Sequence, residues 1–166
     1  IHGNFFSRDA IKKMNELGVY ANMQPAWLFK DAEAMQYIMG NEKIKIFHPY
    51  KSMIDAGVVI NGGSDHMVKW DANTSINPYN PFLAMWTMVT RNTERGSVIV
   101  PSEAISREEA LKTYTINNAF ASFEESIKGS IEPGKLADMA VLSDDILTCQ
   151  EDSIREIKAL MTIVGG

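Results

Sequence analysis

The feature that most constrains the fold is residues 58–65, a short β-rich run that ends in two glycines and an acid. Residues 58–61 have strand character, and the glycines leave room for close backbone approach. Asp65 then stands at the start of a loop. Ligands and catalytic groups gather at strand ends in parallel α/β folds, so Asp65 is the first candidate for catalysis. The local alternative is a Ser-Asp turn that only caps the loop.

Helix and strand signals alternate around this run. Ser7 can cap a first helix over 8–17, which Gly18 ends, and a strand at 19–23 closes before Pro25. The next predicted elements are helices at 31–39 and 49–56, the strand at 58–61, helices at 81–89 and 106–117, and a short helix near 119–124. A polar loop at 66–80, containing two Asn-Pro pairs, separates the last strand from the helix at 81. This order predicts an α/β fold with parallel strands.

The last part of the chain has a different character. A turn at 129–135 is followed by β-rich runs at 137–142 and 160–166, which favour a small β-sandwich. The predicted division is therefore 1–127 and 128–166. Because the chain begins with Ile1 in the last step of a strand, and ends on a strand without a following partner, we expect a piece of a longer protein.

Composition narrows the classes of partner that the protein can bind. The net charge of −5 argues against nucleic acid and anionic membrane as main partners, since both reward basic surfaces. One cysteine, Cys149, excludes an internal disulfide. That favours a reducing compartment such as the cytoplasm, although a disulfide-free secreted protein has the same composition, so the localisation stays open. The sequence contains no apolar run of membrane-spanning length.

Several segments together carry a resemblance that spans the chain in order. They are 17–19 (Leu-Gly-Val), 23–25 (Met-Gln-Pro), 63–65 (Gly-Ser-Asp), 80–82 (Asn-Pro-Phe), 90–91 (Thr-Arg), 106–111 (Ser-Arg-Glu-Glu-Ala-Leu), 114–117 (Tyr-Thr-Ile-Asn) and the tail at 129–142 and 160–166. This set resembles the amidohydrolase superfamily, and more narrowly its YtcJ-like branch of metal-dependent hydrolases. The resemblance implies the last three β/α units of a TIM barrel plus the carboxyl-terminal strands of a small β-sandwich. A whole barrel needs about 250 residues, so this chain cannot close one alone.

The resemblance also implies a chemistry. A divalent metal, zinc foremost and one or two in number, would assist hydrolysis of a non-peptide C–N bond in a small amide- or formamide-like molecule. Asp65 matches the family acid that touches both metal and water, and His2 matches a metal-binding histidine. The glutamate that usually precedes this histidine is Ile1 here. The fragment is expected to be inactive alone. The alternative is a catalytically silent member that serves in binding or regulation.

Three further residues are candidates for substrate binding: Gln24 at a strand end, His66 beside Asp65, and Trp70 in the following loop. The structural alternatives are a turn-stabilising amide for Gln24 and a bystander for His66. The partner that the resemblance implies is a small amide-like substrate. An open parallel edge strand also predicts self-association, as a homo-oligomer or with the missing barrel half.

Other polar and aromatic residues are interpreted as structural. We expect His48 to be structural or solvated, Arg91 to act as a salt bridge or backbone clamp, and Trp86 to pack in the core. Cys149 stands in a polar loop and is interpreted as an idle thiol.

Overall fold

The computed structural model describes residues 1–66 and 70–166. The described helices are α1 (Arg8–Glu16), α2 (Pro25–Lys43), α3 (Tyr50–Asp55), α4 (Pro81–Thr90), α5 (Arg107–Tyr114) and α6 (Ile116–Ala121). The described strands are β1 (Ala21–Met23), β2 (Ile60–Gly62), β3 (Met139–Leu142) and β4 (Ala159–Ile163). Short 3₁₀ helices cover Ile44–Ile46, Pro101–Glu103 and Glu151–Glu156.

The strands form two separate pairs. β1 and β2 are parallel, with Ala21 opposite Ile60 and Met23 opposite Gly62. β3 and β4 are antiparallel, with an irregular step after Val141. The mixed α/β class and the parallel step are therefore confirmed. The division at 127/128 and the β-sandwich stay predictions, because β3 and β4 form a single two-stranded sheet.

The amino-terminal strand step predicted at Ile1 and His2 is wrong for the described chain. Residues 1–4 have no regular secondary structure, and His2 takes a left-handed φ of 61°. The segment is instead anchored through a single antiparallel bridge between Phe5 and Phe47. The amide of His48 also donates to the carbonyl oxygen of Asn4 at 2.8 Å. A segment with one bridge is fixed in position without forming a strand.

Local capping signals give the helix starts. Ser7 Oγ accepts from the amide of Ala10 at 3.2 Å. Ser106 and Glu109 form the predicted capping box, with both reciprocal hydrogen bonds present.

The second helix differs from the prediction, because α2 begins at Pro25 rather than at residue 31. Pro25 suits the first turn of a helix, where no amide proton is needed. The predicted break at Gly40 is a kink with a φ of 78° inside α2.

The hydrophobic core lies between the parallel strands and the helices around them. Trp86 in α4 is buried there, as expected, and its indole Nε1 donates to Asp152 Oδ1 at 3.2 Å. The fully buried apolar side chains include Met23, Leu28, Phe47, Tyr50, Met53, Ile60, Met88 and Ile154. No helix in the described ranges is both long and apolar enough to span a membrane.

Arg91 is fully buried at the end of α4 and acts as a backbone clamp, one of the two roles expected. Its Nε donates to the carbonyl oxygen of Ile99 at 3.0 Å, and its Nη1 to that of His48 at 2.9 Å. Nη2 reaches the carbonyl oxygen of Phe47 at 3.2 Å. Burial lowers the pKa of this guanidinium, and arginine keeps its charge in proteins.

The edge of β2 that faces away from β1 is occupied by two asparagine side chains. Asn117 Nδ2 donates to the carbonyl oxygen of Ile60 at 2.8 Å, and Asn118 Nδ2 to that of Gly62 at 3.2 Å. Such bonds satisfy acceptors that an open edge would offer to another strand. Self-association stays a prediction, but this edge does not supply a reason for it.

His48 is fully buried and therefore structural rather than solvated. Its Nδ1 lies 2.8 Å from the hydroxyl of Tyr50, and among the described residues its Nε2 has no hydrogen-bond partner. Burial, together with the nearby charge of Arg91, lowers the pKa of His48 from 6.5 to about 3. The ring is thus neutral in the folded protein.

The neutral state of His48 makes stability depend on pH. Between pH 6.5 and about 3 the unfolded chain binds a proton that the folded chain excludes. This contribution is complete above pH 6.5 and is lost on acidification, by up to about 1.4 kcal/mol per pH unit. His48→Asn should flatten the curve of unfolding free energy against pH, measured by urea denaturation. The matched variant His66→Asn, at an exposed histidine, should keep the wild-type slope. Equal slopes in all three proteins would contradict the assignment.

Candidate functional site

Two residues from separate parts of the chain meet at the end of the parallel strands. His2 Nδ1 lies 3.9 Å from Asp65 Oδ2, with 48% and 27% of the two side chains exposed. His2 belongs to the amino-terminal segment, and Asp65 follows Gly62, the last residue of β2, by three residues. The structure therefore brings together both residues that were predicted as metal ligands. Their roles stay predictions.

Gln24, at the end of β1, connects the two segments. Its side chain is only 2% exposed, and its Oε1 accepts from the amide of His2 at 3.2 Å. Its Nε2 donates to the carbonyl oxygen of Asn22 at 3.3 Å and also to Asn22 Oδ1. Both ends of the amide are thus engaged inside the protein. Substrate contact by Gln24 stays a prediction, while the geometry gives it a bracing role beneath His2.

Asp65 is held by a residue that sequence reasoning did not select. Asn77 Nδ2 donates to the backbone carbonyl oxygen of Asp65 and lies 3.3 Å from Asp65 Oδ2. The same carboxylate oxygen therefore faces both His2 and Asn77. Among the described residues, no donor bonds to Asp65 Oδ1. One oxygen of the carboxylate is held by Asn77, and the other has no hydrogen bond from residues 1–66 or 70–166.

Both members of the pair have left-handed backbones. The φ angle is 61° at His2 and 52° at Asp65. Non-glycine residues rarely adopt this region, although Asp and His tolerate it better than most. Such positions cluster at functional sites, where surrounding contacts hold them. The bonds from Gln24 and Asn77 are the contacts that do so here.

Among the described residues, no side-chain hydrogen bond or ring contact joins His66 or Trp70 to the pair. His66 is exposed, and its ring packs edge-on against Tyr79 at 4.5 Å between centroids. Trp70 is 96% exposed, and its carbonyl oxygen accepts from the Tyr79 hydroxyl. Residues 67–69 of the predicted loop lie outside the described residues. Substrate contact by His66 and Trp70 stays a prediction.

Trp27, in the first turn of α2, is a further neighbour of the pair that the sequence did not reveal. Its ring centroid lies 6.0 Å from that of His2. Its indole Nε1 is buried and has no acceptor among the described residues. The helix predicted from the sequence begins at residue 31 and does not include Trp27, so only the approach of His2 could have identified it.

The pair fits part of a metal site. Zinc binds imidazole nitrogen and carboxylate oxygen at about 2.0–2.2 Å, so two ligands of a tetrahedral ion lie roughly 3.3–3.6 Å apart. The separation of 3.9 Å between His2 Nδ1 and Asp65 Oδ2 is a few tenths of an ångström longer, a difference that a small side-chain rotation closes. Catalytic zinc takes three protein ligands. Within the described ranges, no group of three or more His, Cys, Asp or Glu side chains could hold a metal ion. His2 and Asp65 are therefore suited to be two members of a larger ligand set.

Comparison with known proteins decides the family. A model of the amidohydrolase family matches residues 1–166. The chain belongs to the amidohydrolase family. It is 38% identical over 157 residues to an N-substituted formamide deformylase of Arthrobacter pascens, covering 93% of this chain and 27% of that protein. It is 25% identical over 169 residues to YtcJ of Bacillus subtilis (strain 168), which carries the amidohydrolase name, covering 100% of this chain and 30% of that protein. The chain thus spans less than a third of these relatives.

Solved structures of amidohydrolases and metal-dependent hydrolases share the fold. A metal-dependent hydrolase from Pyrococcus horikoshii superposes with a TM-score of 0.72 at 21% identity, covering 91% of this chain and 29% of that one. An amidohydrolase from Thermotoga maritima superposes with a TM-score of 0.62 at 19% identity, covering 96% and 33%. The chain therefore has the fold of part of these proteins.

The point at which Asp65 leaves β2 depends on a close helix–strand approach. A Cβ atom at Gly62 would lie 2.5 Å from Cε2 of Tyr114, on α5. At Gly63 the nearest atom would be Asn22 Oδ1, at 3.3 Å. Glycine at residue 62 thus allows α5 to pack directly against the strand end.

Gly62→Ala should therefore destabilise the fold by about 1–3 kcal/mol, because a ring held in packing must move. Gly63→Ala should cost less, since the side chain of Asn22, which it meets at 3.3 Å, needs to move by only a few tenths of an ångström. In a Tyr114→Leu background the cost of Gly62→Ala should shrink, giving a coupling of at least about 0.5 kcal/mol. Urea denaturation of the four variants measures this, and strict additivity would contradict the packing argument.

Proposed function

We propose that this chain is part of a metal-dependent hydrolase of non-peptide C–N bonds, with N-substituted formamides as the first substrates to test. The observation that carries the proposal is the approach of His2 Nδ1 to Asp65 Oδ2, at 3.9 Å, in a member of the amidohydrolase family. The substrate class is supported by the 38% identity to an N-substituted formamide deformylase.

The proposal includes the finer description of the fold. The chain would form the last three β/α units of a TIM barrel over 1–127, and strands of a β-sandwich over 128–166. His2 and Asp65 would hold a divalent metal, zinc being the first to test because it accepts imidazole and carboxylate together. Further ligands would come from outside the described residues. The fragment alone is expected to be inactive.

When bound, the metal would polarise the carbonyl of the substrate and lower the pKa of water. Asp65 would do the proton chemistry. Its Oδ2 is held by Asn77, while its Oδ1 takes no hydrogen bond from the described residues. Oδ1 can therefore accept a proton from the attacking water. The water oxygen bonds to the formyl carbon, the C–N bond breaks, and the proton passes to the departing amine. The products are formate and the free amine.

The residues around the pair would exclude water and orient the substrate. The ring of Trp27 lies beside His2, and its buried Nε1 can donate to a substrate oxygen. His66 and Trp70 remain candidates for contact with the departing group. Each of these assignments is part of the proposal.

The test uses the complete product of the gene that encodes this chain. We expect stoichiometric zinc by elemental analysis and release of amine from a simple N-alkylformamide. Asp65→Asn should lose most of the metal and slow hydrolysis by at least about 10²-fold, the typical worth of a general base. Asp55→Asn is the matched control, because Asp55 is 59% exposed and pairs with Lys51 on the surface of α3. It should keep both metal and rate.

Other outcomes of these experiments would overturn or change the proposal. A wild-type protein without metal and without amine release would overturn the proposal. Metal that is retained while no amide or formamide is cleaved would favour the catalytically silent member. An unchanged rate in Asp65→Asn would exclude Asp65 as the base.

A further inference from the structure

We propose that Asn77 is a positioning residue for Asp65, a role that rests on the proposed function. Its side-chain amide spans the backbone and the carboxylate of one residue, donating to the carbonyl oxygen of Asp65 and lying 3.3 Å from Oδ2. The two protons on Nδ2 allow both bonds at once. Asn77 thus fixes the main chain and the carboxylate rotamer of Asp65 together.

The backbone of Asp65 explains why such a residue is needed. Its φ of 52° is a left-handed conformation that a free Asp seldom populates. The bond to its carbonyl oxygen holds this conformation, and the bond to Oδ2 stops the carboxylate from rotating. Because Oδ2 is held, it is the oxygen that lies beside His2, and Oδ1 is the oxygen left to accept the proton under the proposed function.

Asn77 is itself held in place from both sides. Only 9% of Asn77 is exposed, and its backbone carbonyl oxygen accepts a hydrogen bond from Ser75 Oγ at 2.9 Å. His66 Nδ1 lies 3.3 Å from the same carbonyl oxygen. Pro78 follows, and the residue before a proline is restricted to extended conformations. The amide of Asn77 therefore has little freedom to turn away from Asp65.

The loop that carries Asn77 is built on helix α4. Asp71 Oδ1 accepts from the amides of Asn73 and Thr74 at 2.9 and 2.7 Å. Asn80 Nδ2 donates to Asn73 Oδ1 at 2.8 Å, and Asn80 Oδ1 caps α4 by accepting from Phe82 at 2.9 Å. The loop that carries Asn77 is thus attached to the start of the buried helix α4, and Asn77 in turn holds Asp65.

The alternative is that Asn77 only folds the loop. Asn73 is a matched control, because it braces the same loop through Asn80 and makes no bond to Asp65. Asn77→Ala removes the amide, and Asn77→Leu removes it while filling its space. A loop-folding role predicts equal effects for Asn73→Ala and Asn77→Ala. A space-filling role predicts recovery in Asn77→Leu.

The first measurement is made on the complete gene product after chelation, and so does not depend on a metal. Urea midpoints are determined for Asn77→Ala, Asp65→Ala and the double variant. Positioning predicts that the double variant loses less than the sum of the single shifts, because the two residues share one interaction. Additive shifts would overturn the proposal, whatever the result for the proposed function.

The second measurement is made on the loaded protein. We expect Asn77→Ala and Asn77→Leu to weaken zinc affinity by about 10–100-fold against a competing chelator, as loss of a ligand's supporting hydrogen bond typically does. The kcat should fall with little change in KM. Asn73→Ala should keep both values near wild type. A wild-type affinity in both Asn77 variants would overturn the positioning role while leaving the proposed function intact, whereas a wild type without zinc or hydrolysis would overturn only the latter.

Discussion

The buried guanidinium of Arg91 is the interaction on which the described structure most depends. A charge in a core is costly unless its donors are satisfied, and here the carbonyl oxygens of Phe47, His48 and Ile99 satisfy them. Three carbonyl dipoles offset the charge, and within residues 1–66 and 70–166 no carboxylate forms an ion pair with it. The loop at Phe47 and His48 in turn bonds to Asn4, which fixes the amino-terminal segment. A lysine could not replace Arg91, because its single ammonium cannot reach three diverging acceptors as the guanidinium does.

Helix α4 links this clamp to the candidate site. At its carboxyl end Arg91 holds the loop that supports the segment carrying His2. At its amino end Asn80 caps the helix and braces the loop from which Asn77 reaches Asp65. The segments that hold His2 and Asp65 are thus attached to opposite ends of one buried helix. A rigid element between them keeps their separation constant more effectively than either flexible segment could alone.

The parts of the structure that depend on neighbours in sequence could be predicted, and those that depend on distant contacts could not. The capping box at Ser106 and the break at Gly40 are local, and both appear as expected. Asp65 was found because a strand ending in two glycines is a local pattern, and family resemblance added His2. Asn77 and Trp27 carry no such pattern. From the sequence, Asn77 is interpreted as part of an Asn-Pro turn, and only the folded loop shows that its side-chain amide donates to Asp65.

Hydrogen bonds within the described residues hold both members of the candidate site. His2 is held by Gln24, and Asp65 by Asn77, although both residues have backbones that cost roughly 1–3 kcal/mol elsewhere. The segment that carries these bonds corresponds to 27% of the formamide deformylase it resembles. Under the proposed function, His2 and Asp65 would supply two ligands, and further ligands would come from outside the described residues, since catalytic zinc takes three protein ligands. The local bonds would then set the geometry of the pair, while the number of ligands would set the affinity for the metal.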